Sequence, residues 1–406
     1  MARRVVEPKI RGFICTTAHA AGCAAHVQEQ VARVEGKKFP SSGPGTALII
    51  GASTGYGLAS RIVATFGAGA DSLGVFFERP AQGERTASAG WYNSVALERM
   101  ARERGRRVWS VNGDAFSDAV KLRSVELLRR EFRPVDLVIY SLASPQRTHP
   151  RTGQLFRSVL KPVGQGFTSK TLHTDRGVVD TVHLEPASEE EIAATVAVMG
   201  GEDWLLWMEA LAAAGVLADG VKSVAYGYLG PQLTWPIYRD GTIGLAKKDL
   251  ERTVDRIDAL LRPLQGKAHI AVNKAVVTQA SSAIPVVPLY ISLLFRAMKE
   301  RGCHESCGEQ MERLFAERLY AKNLPDGAVD GEGRLRLDGW EMDPAVQVEV
   351  LRRWQLVTTE NLRELGDPDG YGADFLRLFG FGLPGVDPLE PVETESFLET
   401  CGGLAG

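Results

Sequence analysis

The apolar run Ala47–Ile50 leads directly into a glycine-rich segment, GASTGYG at Gly51–Gly57. A helical pattern of apolar residues begins immediately afterwards, at Leu58. Glycine permits a tight turn and a close approach of the backbone to a bound group, and the helix that follows presents unpaired amides. This order predicts a β-turn-α unit and restricts the chain to an α/β fold whose turn can hold a phosphate.

Apolar runs alternate with helical patterns through the first 150 residues. Strands are predicted at Asp71–Phe77, Val108–Val111 and Val135–Leu142, with helices over Gly90–Gly105 and Ser117–Arg133. Nearly all-apolar strands are typical of a parallel sheet that is buried on both faces. We therefore predict an α/β fold with a Rossmann-type, doubly wound parallel sheet.

The same alternation returns between residues 188 and 299. It predicts three further helices, two strands and an apolar helical region, namely helices at Ser188–Met199, Asp203–Ala214 and Thr242–Arg262, strands at Val221–Tyr228 and Lys267–Thr278, and a helical region ending near Lys299. A chain of 406 residues is at the upper end of what one elaborated domain can bury. We expect a single enlarged domain over 1–406, with an N-terminal extension at 1–45, an insertion near the site at 145–187 and a C-terminal helical extension at 300–406.

Composition excludes several kinds of partner. The formal net charge is −3, which gives no electrostatic reason to expect nucleic acid as a partner. The longest uncharged stretch, Ala275–Phe295, is interrupted by Gln279, Pro285 and Pro288, so we expect no membrane span. The first residues lack the apolar segment of a secretory signal, which favours a cytoplasmic protein.

The cysteines are few and odd in number, which also indicates a reducing compartment. They are Cys15, Cys23, Cys303, Cys307 and Cys401. Together with His19 and His26, the first two superficially resemble metal ligands, but their spacing matches no common zinc module. We expect no metal site.

Two features point to a dinucleotide. Gly51, Gly55 and Gly57 have the spacing G-x3-G-x-G, and Glu78 ends the next predicted strand. An acidic side chain at that place can accept hydrogen bonds from the ribose hydroxyls and would repel a 2′-phosphate, which favours NADH over NADPH. Two alternative interpretations remain open at this point. The glycine turn could be needed only for packing, and Glu78 could be an acid at a solvated strand end.

Tyr238 and Lys247 carry the candidate chemistry. A phenol can donate a hydrogen bond to a carbonyl oxygen as hydride addition turns it into an oxyanion. A nearby ammonium group can bind the nicotinamide ribose and favour phenolate character. Chance spacing is the alternative for the pair, and the adjacent Lys248 could be the functional cation in place of Lys247.

Seven segments in this order resemble the trans-2-enoyl-CoA reductase family, which includes the type V bacterial enoyl-acyl-carrier-protein reductases. They are PKIRGFICTTAH near the N-terminus, GASTGYG, VFFE at Val75–Glu78, IYSLASP at Ile139–Pro145, YGYLGP at Tyr226–Pro231, the Tyr-x8-Lys pair, and FGFGLPGVD at Phe379–Asp387. The resemblance covers nearly the whole chain. Ordinary short-chain reductases use Tyr-x3-Lys and the related enoyl reductases use Tyr-x6-Lys, so the longer spacing is specific.

The resemblance implies a reductase that uses NADH to reduce the 2,3 double bond of an enoyl thioester in fatty acid biosynthesis, with CoA or acyl carrier protein as the carrier. It implies Tyr238 as the proton donor and Tyr228 as a substrate contact. It also implies a set of cofactor contacts: Gly51, Ala52, Ser53, Thr54, Gly55 and Tyr56 at the phosphates, Phe77 and Glu78 at the adenosine, Asp114 and Ala115 at the adenine, Leu142 and Ala143 beyond it, and Lys247, Val276, Val277 and Thr278 at the nicotinamide half.

Three points stay open. A short-chain carbonyl or 3-ketoacyl reductase is the alternative function, because such enzymes place a serine before the tyrosine and Ser223 lies 15 residues before Tyr238. The apolar segment Ala280–Phe295 is our candidate for the wall of the acyl pocket, with Ile284, Val287 and Ile291 facing the chain. The terminal helices predict a monomer, since they can cover the surface through which smaller reductases form tetramers.

Overall fold

The computed structural model describes residues 3–37, 39 and 43–398. Its strands are β1 (Arg3–Arg4), β2 (Ile10–Arg11), β3 (Ile14–Cys15), β4 (Thr46–Ile50), β5 (Asp71–Phe76), β6 (Val108–Asn112), β7 (Val135–Tyr140), β8 (Gln146–Thr148), β9 (Leu155–Arg157), β10 (Phe167–His173), β11 (Val178–Leu184), β12 (Leu217–Gly227), β13 (Lys267–Val272), β14 (Leu335–Arg336) and β15 (Val392–Glu393).

The helices alternate with these strands. They are α1 (Ala20–Val34), α2 (Gly55–Ile62), α3 (Ala89–Glu103), α4 (Asp118–Glu131), α5 (Glu189–Met199), α6 (Glu202–Ala213), α7 (Thr242–Leu261), α8 (Gln279–Ser282), α9 (Val287–Glu300), α10 (Cys307–Arg313), α11 (Pro344–Leu356), α12 (Leu362–Leu365) and α13 (Pro368–Arg377).

Seven strands form one parallel sheet in the order β14-β13-β12-β7-β4-β5-β6. The strand order reverses between β4 and β7, because the chain first builds outward through β5 and β6 and then returns to add β7 on the other side of β4. This is the strand order of a doubly wound nucleotide-binding sheet, so the predicted fold class is confirmed.

Buried residues lie on both faces of the sheet. One face packs against α2, α3 and the N- and C-terminal helices, with Val27, Leu97 and Phe295 fully buried. The other packs against α4, α6 and α7, with Trp204 and Trp207 fully buried. Burial on both faces explains why the strands are nearly all apolar in sequence.

Serine side chains cap two of the predicted helices. The Ser117 side chain accepts a hydrogen bond from the Val120 amide at the start of α4. Ser188 and Glu191 form the reciprocal capping box of α5. Each side chain occupies an amide that the first helical turn leaves unpaired, which explains where these helices begin.

The predicted strand Lys267–Thr278 is too long. Strand β13 ends at Val272, and the chain then enters a loop in which the Lys274 carbonyl accepts a hydrogen bond from the Tyr56 hydroxyl at 2.6 Å. Thr278 caps α8 and belongs to no strand. Contacts from distant parts of the chain therefore override the apolar pattern.

The segment 145–187, expected from the sequence to be an insertion, contains two antiparallel hairpins, β8-β9 and β10-β11. At the termini, β1 pairs with β15 and thereby joins the two ends of the described chain. The division of the chain at 45, 145–187 and 300 stays a prediction.

None of the helices in the described residues has the length and apolar character needed to cross a membrane. The four described cysteines form no disulfide with one another, and Cys401 lies outside the described residues. His19, considered above beside them, instead caps α1 by accepting a hydrogen bond from the Gly22 amide at 3.0 Å.

Candidate active site

A cavity of about 620 Å³ opens at the carboxyl ends of the central strands. It is bordered by residues that follow β4, β5, β6, β7, β12 and β13. The crevice at the reversal of strand order is where parallel α/β sheets bind ligands, because the loops on either side of it diverge. The fold therefore places a binding site at the β4–α2 turn.

Two glycines of this turn tolerate no side chain. Gly51 has a φ of +87°, and a Cβ there would lie 2.0 Å from the Ser141 carbonyl oxygen. A Cβ on Gly57 would lie 1.9 Å from the Gly51 carbonyl oxygen. Packing alone thus requires glycine at both positions, while the open side of the turn borders the cavity at Gly51, Ser53 and Thr54.

Glu78 borders the same cavity beside the glycine turn. Its carboxylate accepts a hydrogen bond from the Ser53 hydroxyl at 2.7 Å, and its backbone is held by both polar atoms of the Asn112 side chain. Burial raises the pKa of the Glu78 carboxyl, and hydrogen bonds from Ser88 and Ser53 and the charge of Arg79 oppose that rise. The acid is therefore fixed in position next to the glycine turn.

Most of the residues implied by the family resemblance border this one cavity. They are Gly51, Ser53, Thr54, Gly55, Tyr56, Phe77, Glu78, Asp114, Ala115, Leu142, Ala143, Tyr228, Tyr238, Lys247, Val276 and Thr278. Phe77 is 77% exposed, so its ring offers an open face for stacking at the mouth. Ala52 and Val277 do not border the cavity, because their side chains are buried in the core behind the turn and the loop.

Tyr238 and Lys247 both border the cavity although they lie on different elements. Tyr238 precedes α7, and Lys247 is in the second turn of that helix. The Lys247 ammonium donates to the Tyr226 carbonyl oxygen at 2.9 Å, which fixes it against the end of β12. Lys248 is exposed and does not border this cavity, so the geometry favours Lys247 as the functional cation.

Burial shifts the pKa values of Lys247 and Tyr238 in opposite directions. Burial lowers the pKa of Lys247 to about 8, opposed by the charge of Glu251. Burial raises the pKa of the Tyr238 phenol. The Tyr238 hydroxyl therefore keeps its proton at neutral pH, which suits a proton donor.

Tyr228 packs its ring edge-on against Tyr238, with the ring centroids 4.8 Å apart. Ser223 faces the opposite side of the sheet, where it is fully buried and accepts a hydrogen bond from the Trp204 indole at 2.9 Å. The serine that a carbonyl reductase would need beside its tyrosine is thus not supplied by Ser223.

Sequence reasoning missed several polar groups here. Asn273 borders the cavity with its side chain buried, and neither polar atom of its amide has a partner among the described residues. Glu341 is fully buried and reaches Tyr228 from the C-terminal segment. The sequence has no signal for Glu341, since it follows Tyr228 by 113 residues.

Comparisons with known proteins identify the family of this chain. Family models described as the NAD(P)H binding domain and the catalytic region of trans-2-enoyl-CoA reductase match residues 5–83 and 85–320. The chain belongs to the trans-2-enoyl-CoA reductase family.

Its similarity to individual members extends over almost the full length. It is 57% identical over 383 residues to an enoyl-[acyl-carrier-protein] reductase [NADH] of Opitutus terrae, covering 94% of this chain and 97% of the relative. The corresponding protein of Coxiella burnetii is 56% identical, with 96% of each chain covered.

Among solved structures, the trans-2-enoyl-CoA reductase of Treponema denticola in complex with NAD matches with a TM-score of 0.92 and 42% identity, covering 97% of this chain and 100% of that one. That of Clostridium acetobutulicum in complex with NADH matches with a TM-score of 0.92 and 39% identity, covering 96% and 98%.

A third family model, described as an enoyl reductase FAD binding domain, matches residues 329–392. An aspartate caps the N-terminus of each of the two longer helices in this segment. The Asp343 side chain accepts hydrogen bonds from the first amides of α11, and the Asp367 side chain accepts one from an amide of α13. These carboxylates occupy the amides that a pyrophosphate would need and would repel its charge. The residues therefore do not fit FAD, and we assign no step to it.

Proposed function

We propose that this member of the family reduces the 2,3 double bond of trans-2-enoyl thioesters with NADH, and that Tyr238 is the proton donor. The observation that carries the proposal is a single cavity that is bordered both by a protonated phenol and an ammonium group and by a glycine turn and an acid. Binding of a dinucleotide needs the glycine turn and the acid. Reduction of a conjugated carbonyl compound needs the phenol and the ammonium group.

The residues present fit NADH. The glycine turn leaves room for the backbone to approach a pyrophosphate at the start of α2, and Glu78 offers an acceptor for ribose hydroxyls. Lys247 and the loop around Val276 and Thr278 border the end that would hold the nicotinamide. NADH, when bound, supplies the hydride that adds to the β-carbon of the substrate.

The chain's own part is to handle the charge and the proton that this addition requires. Negative charge develops on the thioester oxygen, and the Tyr238 hydroxyl is free to donate a hydrogen bond to it. The phenol O–H bond then breaks as the proton passes to the substrate, and the phenolate that remains takes a proton from solvent. The Lys247 ammonium in the same cavity lowers the electrostatic cost of that phenolate.

Apolar side chains border the cavity and can contact the acyl chain of the substrate. Ile284, Val287 and Ile291, predicted from sequence as the acyl-pocket wall, all border the cavity. They lie on one face at the start of α9 and just before it. We propose that they contact the acyl chain and limit its length.

The test is a set of NADH oxidation assays with crotonyl-CoA, longer 2-enoyl-CoAs and 3-ketoacyl-CoAs. We expect turnover with the enoyl thioesters only. Tyr238→Phe should lower kcat by about 100-fold or more, the usual contribution of a positioned proton donor. Tyr371→Phe is the matched control, since this buried tyrosine bonds to Ser282 and does not border the cavity. Full activity of Tyr238→Phe would refute the assigned role.

We further propose that the protein acts as a cytoplasmic monomer on thioesters of CoA or acyl carrier protein. Helices α5 and α6 pack on α7, the helix that carries Lys247, and occupy part of its surface. Light scattering should give a mass near 44.1 kDa, and a dimer or tetramer would contradict the monomer. Fractionation of the cells that make it tests the compartment, and parallel assays with both carriers test the substrate form.

A further inference from the structure

Glu341 is a fully buried carboxylate contributed by the C-terminal segment. Its Oε1 accepts hydrogen bonds from the Tyr228 hydroxyl at 2.8 Å and from the Tyr290 hydroxyl at 2.6 Å. Its Oε2 accepts from the Ala275 amide at 2.7 Å. Three donors thus converge on one carboxylate with no access to water, an arrangement that suits the ionised form.

The direction of these hydrogen bonds determines where the phenol protons lie. A carboxylate can only accept, so Tyr228 and Tyr290 must each direct a proton at Glu341. Gln347 supports this assignment, because its side-chain amide donates to the Tyr290 oxygen at 3.2 Å and so leaves the Tyr290 proton for Glu341. The proton of Tyr228 is therefore held by Glu341 and not offered to the cavity.

Tyr238 is in the opposite situation. Its ring lies against that of Tyr228, with centroids 4.8 Å apart and planes at 86°. Within residues 3–37, 39 and 43–398, no group hydrogen-bonds the Tyr238 hydroxyl. Tyr228 and Tyr238 thus border the same cavity with their rings in contact, and of these two only Tyr238 has an uncommitted proton.

We propose that Glu341 is a positioning residue that determines which of the two tyrosines donates the proton. By accepting the hydroxyl proton of Tyr228, it leaves Tyr238 as the donor and holds the Tyr228 ring as a packing surface beside it. The same carboxylate binds the Ala275 amide, so it also fixes the loop that leads to Val276 and Thr278. The inference rests on the proposed function of the cavity and explains how a segment distant in sequence acts on Tyr228, which borders it.

The charge of Lys274 acts on the Glu341 carboxylate. Lys274 is buried, and its ammonium donates to the Ala275 carbonyl at 2.8 Å and to the Glu305 carbonyl at 3.3 Å. Burial raises the pKa of Glu341, while hydrogen bonds from Tyr290 and Ala275 and the charge of Lys274 oppose that rise. The positive charge thus supports the acceptor role that the hydrogen bonds define.

The decisive experiment exchanges the acceptor for a donor. Glu341→Gln keeps the shape, but its amide NH2 can donate to Tyr228, whose own proton is then free to face the cavity. In a Tyr238→Phe background, we expect Glu341→Gln to restore kcat by about tenfold or more with crotonyl-CoA and NADH. Adding Tyr228→Phe as a third change should abolish the recovery. A purely structural role predicts the reverse, since the two defects would then multiply.

A second variant keeps the inference testable if Glu341→Gln folds poorly, which thermal unfolding and the NADH dissociation constant would reveal. Tyr228→Phe alone should raise KM but leave kcat within about tenfold of the parent, since its proton takes no part. A kcat as low as that of Tyr238→Phe would overturn the proposal, as would a double variant that shows no recovery. If Tyr238→Phe itself stays fully active, the failure instead lies with the proposed proton donor.

Discussion

Replacing Glu78 by Gln should raise kcat/KM for NADPH and so reduce the preference of the enzyme for NADH. The substitution removes one negative charge from the cavity and retains the side chain's size. The backbone of residue 78 stays in place, because Asn112 binds both its amide and its carbonyl oxygen at 2.7 and 2.9 Å. The Ser53 hydroxyl can still donate to the amide oxygen in place of the carboxylate.

The magnitude follows from the charges involved. Two unit charges about 4 Å apart interact by about 4 kcal/mol at an effective dielectric constant of about 20, and by about 1 kcal/mol in bulk water. Glu78 is partly buried at the cavity edge, so a repulsion of about 2–3 kcal/mol with a 2′-phosphate is appropriate. Since about 1.4 kcal/mol corresponds to a factor of ten, kcat/KM for NADPH should rise about 30- to 150-fold.

The assay compares kcat/KM for NADH and NADPH at saturating crotonyl-CoA in the parent and in Glu78→Gln. We expect the NADH value to fall only modestly, because glutamine still accepts a hydrogen bond from a ribose hydroxyl. Glu84→Gln is the control for net charge, since Glu84 is exposed in the loop after β5 and does not border the cavity. A folded Glu78→Gln enzyme whose NADPH value changes less than threefold would refute the electrostatic reasoning.

Three other outcomes follow from the site. Gly57→Ala should lower the melting temperature and weaken NADH binding, because the added Cβ would overlap the Gly51 carbonyl oxygen at an overpacking cost of about 1–3 kcal/mol. Gly372→Ala is the control, since Gly372 has open space around it on α13, and it should change neither property. Burial lowers the pKa of Lys247 to about 8. The value of kcat/KM for NADH should therefore fall as the pH rises through about 8 and the ammonium loses its proton. The Lys247→Met variant should not show this fall in kcat/KM. Val287→Phe should reduce kcat/KM for long enoyl chains more than for crotonyl-CoA, and equal effects on all chain lengths would remove Val287 from the acyl pocket.

Much of the fold could be predicted because its determinants are local. The strand, glycine turn and helix at Ala47–Leu58 are consecutive in sequence, and the caps at Ser117 and Ser188 act within three residues. The length of β13 could not be predicted, because the loop after it is held by Tyr56 and Glu341, which lie far away in the chain. Apolar residues there are buried by tertiary packing, and burial alone does not distinguish a loop from a strand.

The sequence by itself determined the Rossmann-type sheet, the glycine turn and the candidate pair Tyr238 and Lys247, because each depends on spacing between near neighbours. Tertiary structure decided how those groups are used. It turned Ser223 away from the cavity and brought Glu341 within 2.8 Å of the Tyr228 hydroxyl. Proton donation depends on which groups share a hydrogen bond in a buried site, and no local pattern encodes that partnership across 113 residues.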